Sequence, residues 1–381
     1  MNQVPPRGVG RRIAGRWIAV LQVALLSIAG VLAGTTPAQA ATSTPGAVLS
    51  TKSATLPTEL ATLGTAKRIS YVTTDVNGQV ISATGLVITP RSNKKNRVVA
   101  WAHGTTGMAD KCAPSTNQDV FWPEARAAIA ELLRRGWTVA APDYAGLGTP
   151  QPHPYLIGYS EARAVIDNVK AARNLDSNLS AQYVIDGHSQ GGQASLFASQ
   201  LAPSYDGALV LRGTAGIAPV SNVDLIAPYI PGTPNQGYLV MALYGTATVD
   251  STFSPSSVLA PTAQQLTSVL DTGCLNEILN AYSTLTAEQL VNNGIVPDSV
   301  NAELAQWDNP AQSAPSAPIL IVQGTADDAV PYDITAGPLL DELHAYSQPV
   351  DFVPIDGATH DGAVFASTTI VADWIAGKFS V

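Results

Sequence analysis

Short apolar runs alternate with helical segments along most of this chain of 381 residues, and no other feature restricts its fold as strongly. The runs are only three to five residues long and largely lack a polar face, which is typical of strands buried on both sides. Such strands, separated by helices, form a mostly parallel sheet that helices cover on both faces. The predicted strands are 98–102, 138–141, 183–185, 208–211, 318–322 and 350–354, and the predicted helices are 125–135, 161–175, 190–201, 338–346 and 364–379.

Two segments precede this alternation. The β-rich runs 66–75 and 80–89 are joined by Asn77-Gly78, which is typical of a tight β-hairpin whose two turn residues have positive φ. Residues 41–60 are rich in Ala, Ser, Thr and Pro, and we interpret them as an N-terminal extension of the mature chain.

The alternation stops between residues 218 and 317, where short helical patches are divided by Pro, Gly and Asn. A chain of this length also exceeds what one simple core requires. We therefore predict a core in two parts, 41–217 and 318–381, with residues 218–317 inserted between them as a helical cap.

The first forty residues have the pattern of an export signal. Four arginines precede an apolar run at 17–31, and Ala38-Gln39-Ala40 is a small-x-small cleavage pattern. The run is short for a membrane span, which needs about twenty residues, so an N-terminal anchor is the less favoured alternative. The Arg11-Arg12 pair permits a twin-arginine route as well as the general secretory one. We expect cleavage near Ala40 and a secreted protein.

The composition limits the partners of the mature chain. Removal of the export signal, with its four arginines and no acidic residue, changes the formal net charge from −9 to −13. A chain this acidic repels polyanions, so nucleic-acid binding is not expected. An apolar content of 46%, with no second run of membrane-spanning length, is typical of a globular protein, and we expect a monomer.

The two cysteines of the chain are Cys112 and Cys274. An even number of cysteines in an oxidising compartment predicts a disulfide, with two buried free thiols as the alternative. A bridge would close a loop of about 160 residues, for which chain-entropy models give roughly 4–5 kcal/mol.

The motif with the clearest chemistry is Gly187-His188-Ser189-Gln190-Gly191, which lies between a predicted strand and a predicted helix. In this context G-x-S-x-G is the nucleophile elbow of α/β-hydrolases, in which a sharp turn exposes the serine hydroxyl at the carboxyl edge of the sheet. The adjacent helix N-terminus favours negative charge nearby. Ser189 is therefore the predicted nucleophile, and an ordinary Ser-Gly turn is the alternative.

A serine nucleophile needs a general base, and the chain has five histidines. His188 lies inside the elbow, His103 and His153 lie in earlier loops, and His344 lies within a predicted helix. His360 follows the last predicted strand, where the α/β-hydrolase order of Ser, acid and His places the base. We therefore predict His360 as the base.

The orienting acid is expected after the preceding strand, at 318–322, where the sequence has Asp327 and Asp328. Asp327 is the preferred candidate because it lies in the first turn after the strand, and Asp328 is the competitor. This acid would fix the imidazole tautomer and stabilise the cation formed during proton transfer.

Two backbone donors are expected to bind the oxyanion of the tetrahedral intermediate. One is the N–H of Gln190, directly after the nucleophile. The other is expected from the loop 103–107, where Gly104 and Gly107 let the backbone approach the substrate. We prefer the N–H of Thr105, with Thr106 as the second candidate.

Four motifs together resemble the secretory lipase family of α/β-hydrolases, the Candida antarctica lipase A-like family, and most of all its bacterial branch. The motifs are 101–107, 142–148, 187–192 and 324–331. The resemblance implies a helical lid inserted after the sixth strand, a triad of Ser189, Asp327 and His360, and a disulfide between the two cysteines. The family's yeast enzyme has an acidic residue in its oxyanion loop where this chain has two threonines, which leaves the exact donor and the acyl-chain preference open.

The residues and the resemblance together predict a serine esterase or lipase that forms an acyl-enzyme. The expected substrates are acylglycerols or other medium- to long-chain esters. Transient contact of the protein with a lipid–water interface is also expected. The alternatives are an acyltransferase that uses the same triad and a catalytically silent binding protein of the same fold. No cofactor and no metal are expected, because no phosphate-binding loop occurs and the histidines lack ligand spacing.

Overall fold

A nine-stranded sheet organises residues 44–380, the part of the chain that the computed structural model describes. The predicted export signal lies outside these residues. The strands are β1 Val48–Ala54, β2 Gly64–Thr74, β3 Val80–Pro90, β4 Val98–Ala102, β5 Thr138–Pro142, β6 Gln182–His188, β7 Val210–Ile217, β8 Ile319–Gly324 and β9 Val350–Ile355. Their order across the sheet is β1-β2-β3-β5-β4-β6-β7-β8-β9. Strands β4 to β9 are parallel and the three strands before them pair antiparallel, so the predicted mostly parallel sheet is confirmed.

Helices follow most of the parallel strands and cover both faces of the sheet. In chain order they are α1 Thr58–Ala61, α2 Pro123–Arg134, α3 Gly158–Leu175, α4 Gln190–Tyr205, α5 Val223–Ile226, α6 Gln236–Ala247, α7 Pro255–Val258, α8 Pro261–Gln264, α9 Ser268–Thr272, α10 Leu275–Tyr282, α11 Ala287–Leu290, α12 Asp298–Asp308, α13 Tyr332–Ile334, α14 Leu340–His344 and α15 His360–Phe379. Helices α3 and α4 pack on one face, and α2 and α15 pack on the other. Among the described residues, no helix is both long and apolar enough to span a membrane.

Strand β4 shows why the predicted strands lack a polar face. Val98, Ala100 and Ala102 belong to the core on the side of α3 and α4, whereas Val99 and Trp101 belong to the core on the side of α2 and α15. Successive side chains of a strand point to opposite faces, so every position of a doubly covered strand is buried.

The parallel register brings the ends of four strands to one edge of the sheet. Ala102 pairs with Gly187, and Gly324 pairs with Ile355, so the chain leaves β4, β6, β8 and β9 on the same side. The chain goes from β4 to β5 on one side and then to β6 on the other, which makes β4 and β6 a topological switch point. Ligands of open α/β sheets bind outside the carboxyl ends of the strands at such a point.

The interpretation of residues 41–60 as an extension is wrong for residues 48–54. Residues 48–54 form the edge strand β1, which pairs antiparallel with β2 from Val48↔Tyr71 to Ala54↔Ala66. Its side chains are mostly exposed on both faces, so the strand shows no apolar alternation. Backbone hydrogen bonds to the edge of the sheet hold it instead.

The hairpin is confirmed, but its turn differs from the expected one. The chain closes between Asp75 and Gln79, and only Gly78 has a positive φ, at 78°. The Asp75 carboxylate accepts hydrogen bonds from the N–H groups of Asn77 and Gln79. This local Asx hydrogen bonding stabilises a longer turn in which Asn77 keeps a negative φ.

Strand β7 continues to Ile217, beyond the predicted end at residue 211. The sequence Arg212-Gly213-Thr214 interrupts the apolar run, which is why the prediction stopped there. Gly213 is required because a Cβ at this position would lie 2.7 Å from the ring of Trp374 on α15. The glycine therefore lies inside the strand because α15 packs closely against β7 at this position.

The interval 218–317 contains helices α5 to α12 and a single β-bridge between Leu259 and Val291. Most of its buried apolar side chains belong to one cluster that also includes Tyr155 and Leu156 from the loop before α3, with Leu239, Val240 and Met241 of α6 almost fully buried. Its role as a separate cap domain stays a prediction.

The predicted disulfide between Cys112 and Cys274 is confirmed, and both residues are buried. It joins the segment after β4 to the residue that precedes α10, across 162 positions of the sequence. A hydrogen bond from the Leu275 N–H to the Thr106 carbonyl, at 2.9 Å, reinforces the same junction. The loop after β4 is therefore tied to the helical interval.

We expect the double substitution Cys112→Ser with Cys274→Ser to lower the free energy of unfolding by about 2–5 kcal/mol, because the unfolded chain regains the entropy of a long closed loop. Equilibrium urea unfolding of the oxidised wild type and the double variant measures the difference. Wild-type protein unfolded in reductant is the matched control and is expected to follow the variant. Equal unfolding midpoints for all three samples would contradict the prediction.

Candidate active site

Ser189 lies at the sharp turn between β6 and α4, where it is the N-cap residue of the helix. Its backbone has φ 58° and ψ −119°, a conformation that an L-residue adopts only under constraint, at a cost of about 1–3 kcal/mol. Hydrogen bonds fix the turn: the Ser189 N–H donates to the Ile217 carbonyl at 2.9 Å, and its own carbonyl accepts from the N–H of Gln193 at 3.0 Å.

The turn is this tight because α4 begins against the end of β4. A Cβ on Gly191 would lie 1.9 Å from the carbonyl oxygen of Ala102, and a Cβ on Gly187 would lie 2.1 Å from the carbonyl oxygen of Gly191. Both distances are far below any real contact, so only glycine fits at these two positions of the motif.

Asp327 and His360 meet at the same edge of the sheet. His360 is the first residue of α15, whose N-cap Thr359 accepts a hydrogen bond from the Gly362 N–H. Its Nδ1 lies 2.8 Å from Oδ2 of Asp327 and 3.0 Å from Oδ1. The Asp327 side chain is fully buried and also accepts hydrogen bonds from Gln323 Nε2 and from the Val330 N–H.

The competitor Asp328 has a different position. It is exposed, and its Oδ1 lies 3.4 Å from the backbone nitrogen of His360, with no hydrogen bond to the imidazole ring. The structure therefore pairs the ring with Asp327, while the catalytic role of either acid stays a prediction.

The charge on His360 depends on its surroundings. Burial disfavours the cation, but the hydrogen bond to Asp327 and the charges of Asp327, Asp361 and Asp328 outweigh burial and raise the pKa of His360 above its ordinary value. The ring of His188 packs against it with a centroid distance of 4.6 Å. Burial and the neighbouring charge of His360 hold the pKa of His188 well below its usual range, so His188 stays neutral there.

Ser189 and His360 line one cavity, yet within residues 44–380 no hydrogen bond joins the serine hydroxyl to the imidazole. Catalytic hydrogen bonds are often long before substrate binds and tighten in the complex. His360 Nε2 is the ring atom that remains for proton transfer, because Asp327 occupies Nδ1.

The loop after β4 lies beside the nucleophile. A Cβ on Gly104 would lie 3.5 Å from the Cβ of Ser189. Thr105 lines the same cavity as Ser189, whereas Thr106 is fully buried. The N–H of Gln190, at the first position of α4, is one of the helix-start donors that have no intrahelical acceptor. Of the two predicted candidates for the second oxyanion donor, beside the N–H of Gln190, this geometry favours Thr105 over Thr106.

The side chain of Gln190 belongs to a buried polar cluster that no sequence pattern indicates. Gln190 Nε2 donates to Oε1 of Glu161 at 2.7 Å and lies 3.2 Å from Nε2 of His153. The same Glu161 oxygen accepts from the Leu156 N–H at 3.0 Å. Burial raises the pKa of Glu161 to about 8, so its carboxyl is mainly neutral at pH 7.

The other predicted oxyanion residue contacts the same loop. Thr105 Oγ1 lies 2.8 Å from the hydroxyl of Tyr155, and the Thr105 carbonyl accepts from Trp122 Nε1 at 3.0 Å. The segment from His153 to Leu156 therefore contacts both Thr105 and Gln190. In the sequence it is a proline-rich loop, and Glu161 is an ordinary acidic residue in the first turn of a helix, so neither attracts notice.

Two cavities meet at Ser189. The first, of about 220 Å³, is mainly apolar, and its lining includes Leu156, Val220, Val223, Ile226, Tyr229, Ile230, Leu239 and Ala242. The second, of about 370 Å³, is polar, and its lining includes Thr105, Glu124, His188, Asn235, Asn276, Asp328, His360 and Asp361. The apolar cavity thus takes most of its wall from the helical interval.

One group in the polar cavity has the spacing of potential metal ligands among the described residues. Ligand atoms of His188, His360 and Asp361 lie within 4.8 Å of one another. A metal held there would need His360 Nε2, because Asp327 occupies Nδ1. The absence of a metal from the reaction therefore stays a prediction.

A family model described as secretory lipase matches residues 123–381, about two thirds of the chain. The chain belongs to the secretory lipase family. It is a carboxylic ester hydrolase of the lipase and esterase class, as the sequence predicted.

Relatives and a solved structure agree with this assignment. The chain is 24% identical over 350 residues to lipase A of Moesziomyces aphidis, covering 86% of this chain and 74% of that protein. It is 26% identical over 287 residues to a secreted triacylglycerol lipase of Malassezia globosa, covering 70% of this chain and 60% of that protein. The crystal structure of Candida antarctica lipase A in its closed state is similar with a TM-score of 0.75 and 21% identity, over 88% of this chain and 83% of that one. The α/β-hydrolase fold is thereby confirmed.

We expect kcat/KM for ester hydrolysis to rise with pH as His360 loses its proton. The midpoint of this rise, the acidic limb of the pH profile, should lie above the ordinary histidine pKa of about 6.5. Asp361→Asn removes one of the charges that raise this pKa, so the limb should move to lower pH. Asp373→Asn on the same helix, where Asp373 pairs with Arg135, is the matched control and should leave the limb in place. Identical profiles for Asp361→Asn and wild type would contradict the electrostatic account.

Proposed function

We propose that the chain hydrolyses carboxylic esters of apolar acyl groups through an acyl-enzyme, with Ser189 as nucleophile, His360 as general base and Asp327 as orienting acid. The observation that carries the proposal is the contact between Asp327 and His360 Nδ1, at 2.8 Å, in a cavity that Ser189 also lines. This contact leaves only Nε2 of the imidazole free to act on the serine.

In the acylation step Oγ of Ser189 attacks the ester carbonyl while His360 Nε2 takes the proton of the serine hydroxyl. The buried Asp327 carboxylate stabilises the imidazolium without taking a proton. The N–H groups of Gln190 and Thr105 donate to the oxyanion, and the N-terminus of α4 adds its positive dipole end. His360 then returns its proton to the leaving alcohol, and a water molecule repeats the sequence to release the acid.

The apolar cavity is the proposed acyl site. Four apolar residues of the helical interval, Ile226, Tyr229, Ile230 and Leu239, line the cavity. Val240, Met241 and Leu243 are instead buried in the core of the interval, and Leu225 is partly exposed. A longer acyl chain gains roughly 0.8 kcal/mol for each buried methylene, so this wall would favour acyl groups of medium or greater length.

The mouth of this cavity supports contact with a lipid–water interface. Tyr229 lines the cavity and is 80% exposed, and Leu225 on the adjoining helix is 43% exposed. Exposed apolar side chains at the rim of a binding cavity are typical of interaction surfaces. Secretion after cleavage near Ala40 agrees with the secretory family and with the secreted relative.

We expect Ser189→Ala to abolish hydrolysis of p-nitrophenyl octanoate and of emulsified trioctanoin, with losses on the order of 10⁴–10⁶ in kcat. Asp327→Asn should cost about 10⁴ because the amide favours the wrong imidazole tautomer. Asp328→Asn is the matched control and should keep most of the activity. Wild-type rates in Ser189→Ala, or a greater loss in Asp328→Asn than in Asp327→Asn, would refute the triad.

We also expect Val223→Phe to shorten the preferred acyl chain. Val223 is buried at the start of α5 and lines the apolar cavity, so a larger ring removes space for the acyl chain. Exclusion of two methylenes would lower kcat/KM for long esters on the order of tenfold relative to short ones. Ile295→Phe, at a position that is 68% exposed, is the matched control. An unchanged chain-length profile in Val223→Phe would place the acyl site elsewhere.

A further inference from the structure

The polar cavity beside Ser189 has no role yet in the proposed reaction. It adjoins the apolar cavity, and the two share five lining residues, Ser189, Asn235, Tyr238, Asp328 and Ala329, while the rest of their walls differ. An ester has two halves that extend from the attacked carbonyl carbon. Two cavities that meet at one nucleophile therefore fit the two halves of one substrate.

The position of His360 decides which half each cavity receives. The leaving alcohol must take its proton from the imidazole, so its oxygen lies next to His360. His360 lines the polar cavity, and the apolar cavity reaches Ser189 without it. The polar cavity is therefore on the alcohol side of the ester, and the apolar cavity is on the acyl side.

Three acidic side chains line this cavity, the proposed mechanism uses none of them, and Glu124 is the one that is nearly buried. It lies in the first turn of α2, is 5% exposed, and lines the cavity together with Pro123 and Trp122. Among the described residues, no side chain and no backbone group of another residue donates a hydrogen bond to its carboxyl group. Its own backbone N–H is the donor that the carboxyl has, so the carboxyl keeps capacity to hydrogen-bond a ligand in the cavity that it lines.

The charges around the cavity limit the chemistry of that ligand. Three carboxylates line it, those of Glu124, Asp328 and Asp361, and none of the described lining residues is Lys or Arg. An anionic alcohol, such as one that bears a phosphate, is therefore disfavoured. Burial and the charge of Asp361 raise the pKa of Glu124 to about 7, so this carboxyl can both accept and donate a hydrogen bond near neutral pH.

We infer that the polar cavity is the subsite for the alcohol half of the substrate, and that Glu124 selects esters whose alcohol carries a further free hydroxyl group, as partial glycerides do. A hydroxyl group is both donor and acceptor and matches a carboxyl that can play both roles. This inference rests on the proposed ester hydrolysis at Ser189.

The test compares two esters of one acyl chain, glyceryl monooctanoate and n-propyl octanoate, which differ in the hydroxyl groups of a three-carbon alcohol. The wild type is expected to prefer the glyceryl ester in kcat/KM. Glu124→Leu should reduce this preference by about 10- to 100-fold, the loss typical of a hydrogen bond to a charged group. Glu124→Gln keeps a donor and an acceptor and should retain most of the preference.

Glu131→Leu is the matched control, because Glu131 lies on the same helix, pairs with Arg134 and Arg135, and does not line the cavity. It should leave the preference unchanged. The ratio of the two esters is measured within each variant, so a partly unfolded sample lowers both rates and leaves the ratio intact.

An equal kcat/KM of the wild type for both esters, or an unchanged ratio in Glu124→Leu, overturns the inference while ester hydrolysis itself stands. Octanoylcholine is the third substrate: if the wild type prefers it to the glyceryl ester and Glu124→Gln loses that preference, the subsite binds a cation and the hydroxyl assignment is wrong. Failure of the proposed function looks different, because then no ester, including n-propyl octanoate, is hydrolysed faster by the wild type than by Ser189→Ala.

Discussion

The contact between the first turn of α4 and the end of β4 is the constraint on which the rest of the site depends. Gly191 approaches the carbonyl of Ala102 so closely that no side chain fits between them. This approach keeps Ser189 at its positive φ and places it beside Gly104 in the loop after β4. The proposed nucleophile and the proposed oxyanion loop therefore share one rigid junction, and the surrounding sheet sustains its strain.

A buried polar cluster extends this junction below the surface. Glu161 holds the side chain of Gln190, and the hydroxyl of Tyr155 contacts Thr105. Donors that are fixed before the reaction stabilise a developing oxyanion most, because they need no reorganisation when charge appears. A neutral Glu161 can hold Gln190 without the cost of a buried charge, and this fits its raised pKa of about 8.

The parts of this molecule that depend on local pattern could be predicted from the sequence. Strand β4 is buried on both faces, so a continuous run of five apolar residues predicts its full length. The order of the strand ends along the chain predicts Asp327 and His360 as neighbours, and the structure pairs them. Edge strand β1 could not be found in this way, because backbone pairing rather than apolar alternation holds it. Glu124 and Glu161 were equally hidden, since each is an acidic residue in a first helical turn until tertiary packing buries it.

The two sides of the site differ in how firmly they are held. The polar cavity takes its walls from α2, from the strand ends, from α10 and from the start of α6, and the disulfide between Cys112 and Cys274 joins the N-cap of α10 to the segment after β4. The chain has no other cysteine, so the short helix α5 beside the apolar cavity depends on packing and hydrogen bonds alone. Orientation of a leaving group requires fixed geometry because proton transfer tolerates little displacement. Apolar contact is non-directional, so the proposed acyl side can vary in shape while the proposed chemistry at Ser189 stays the same.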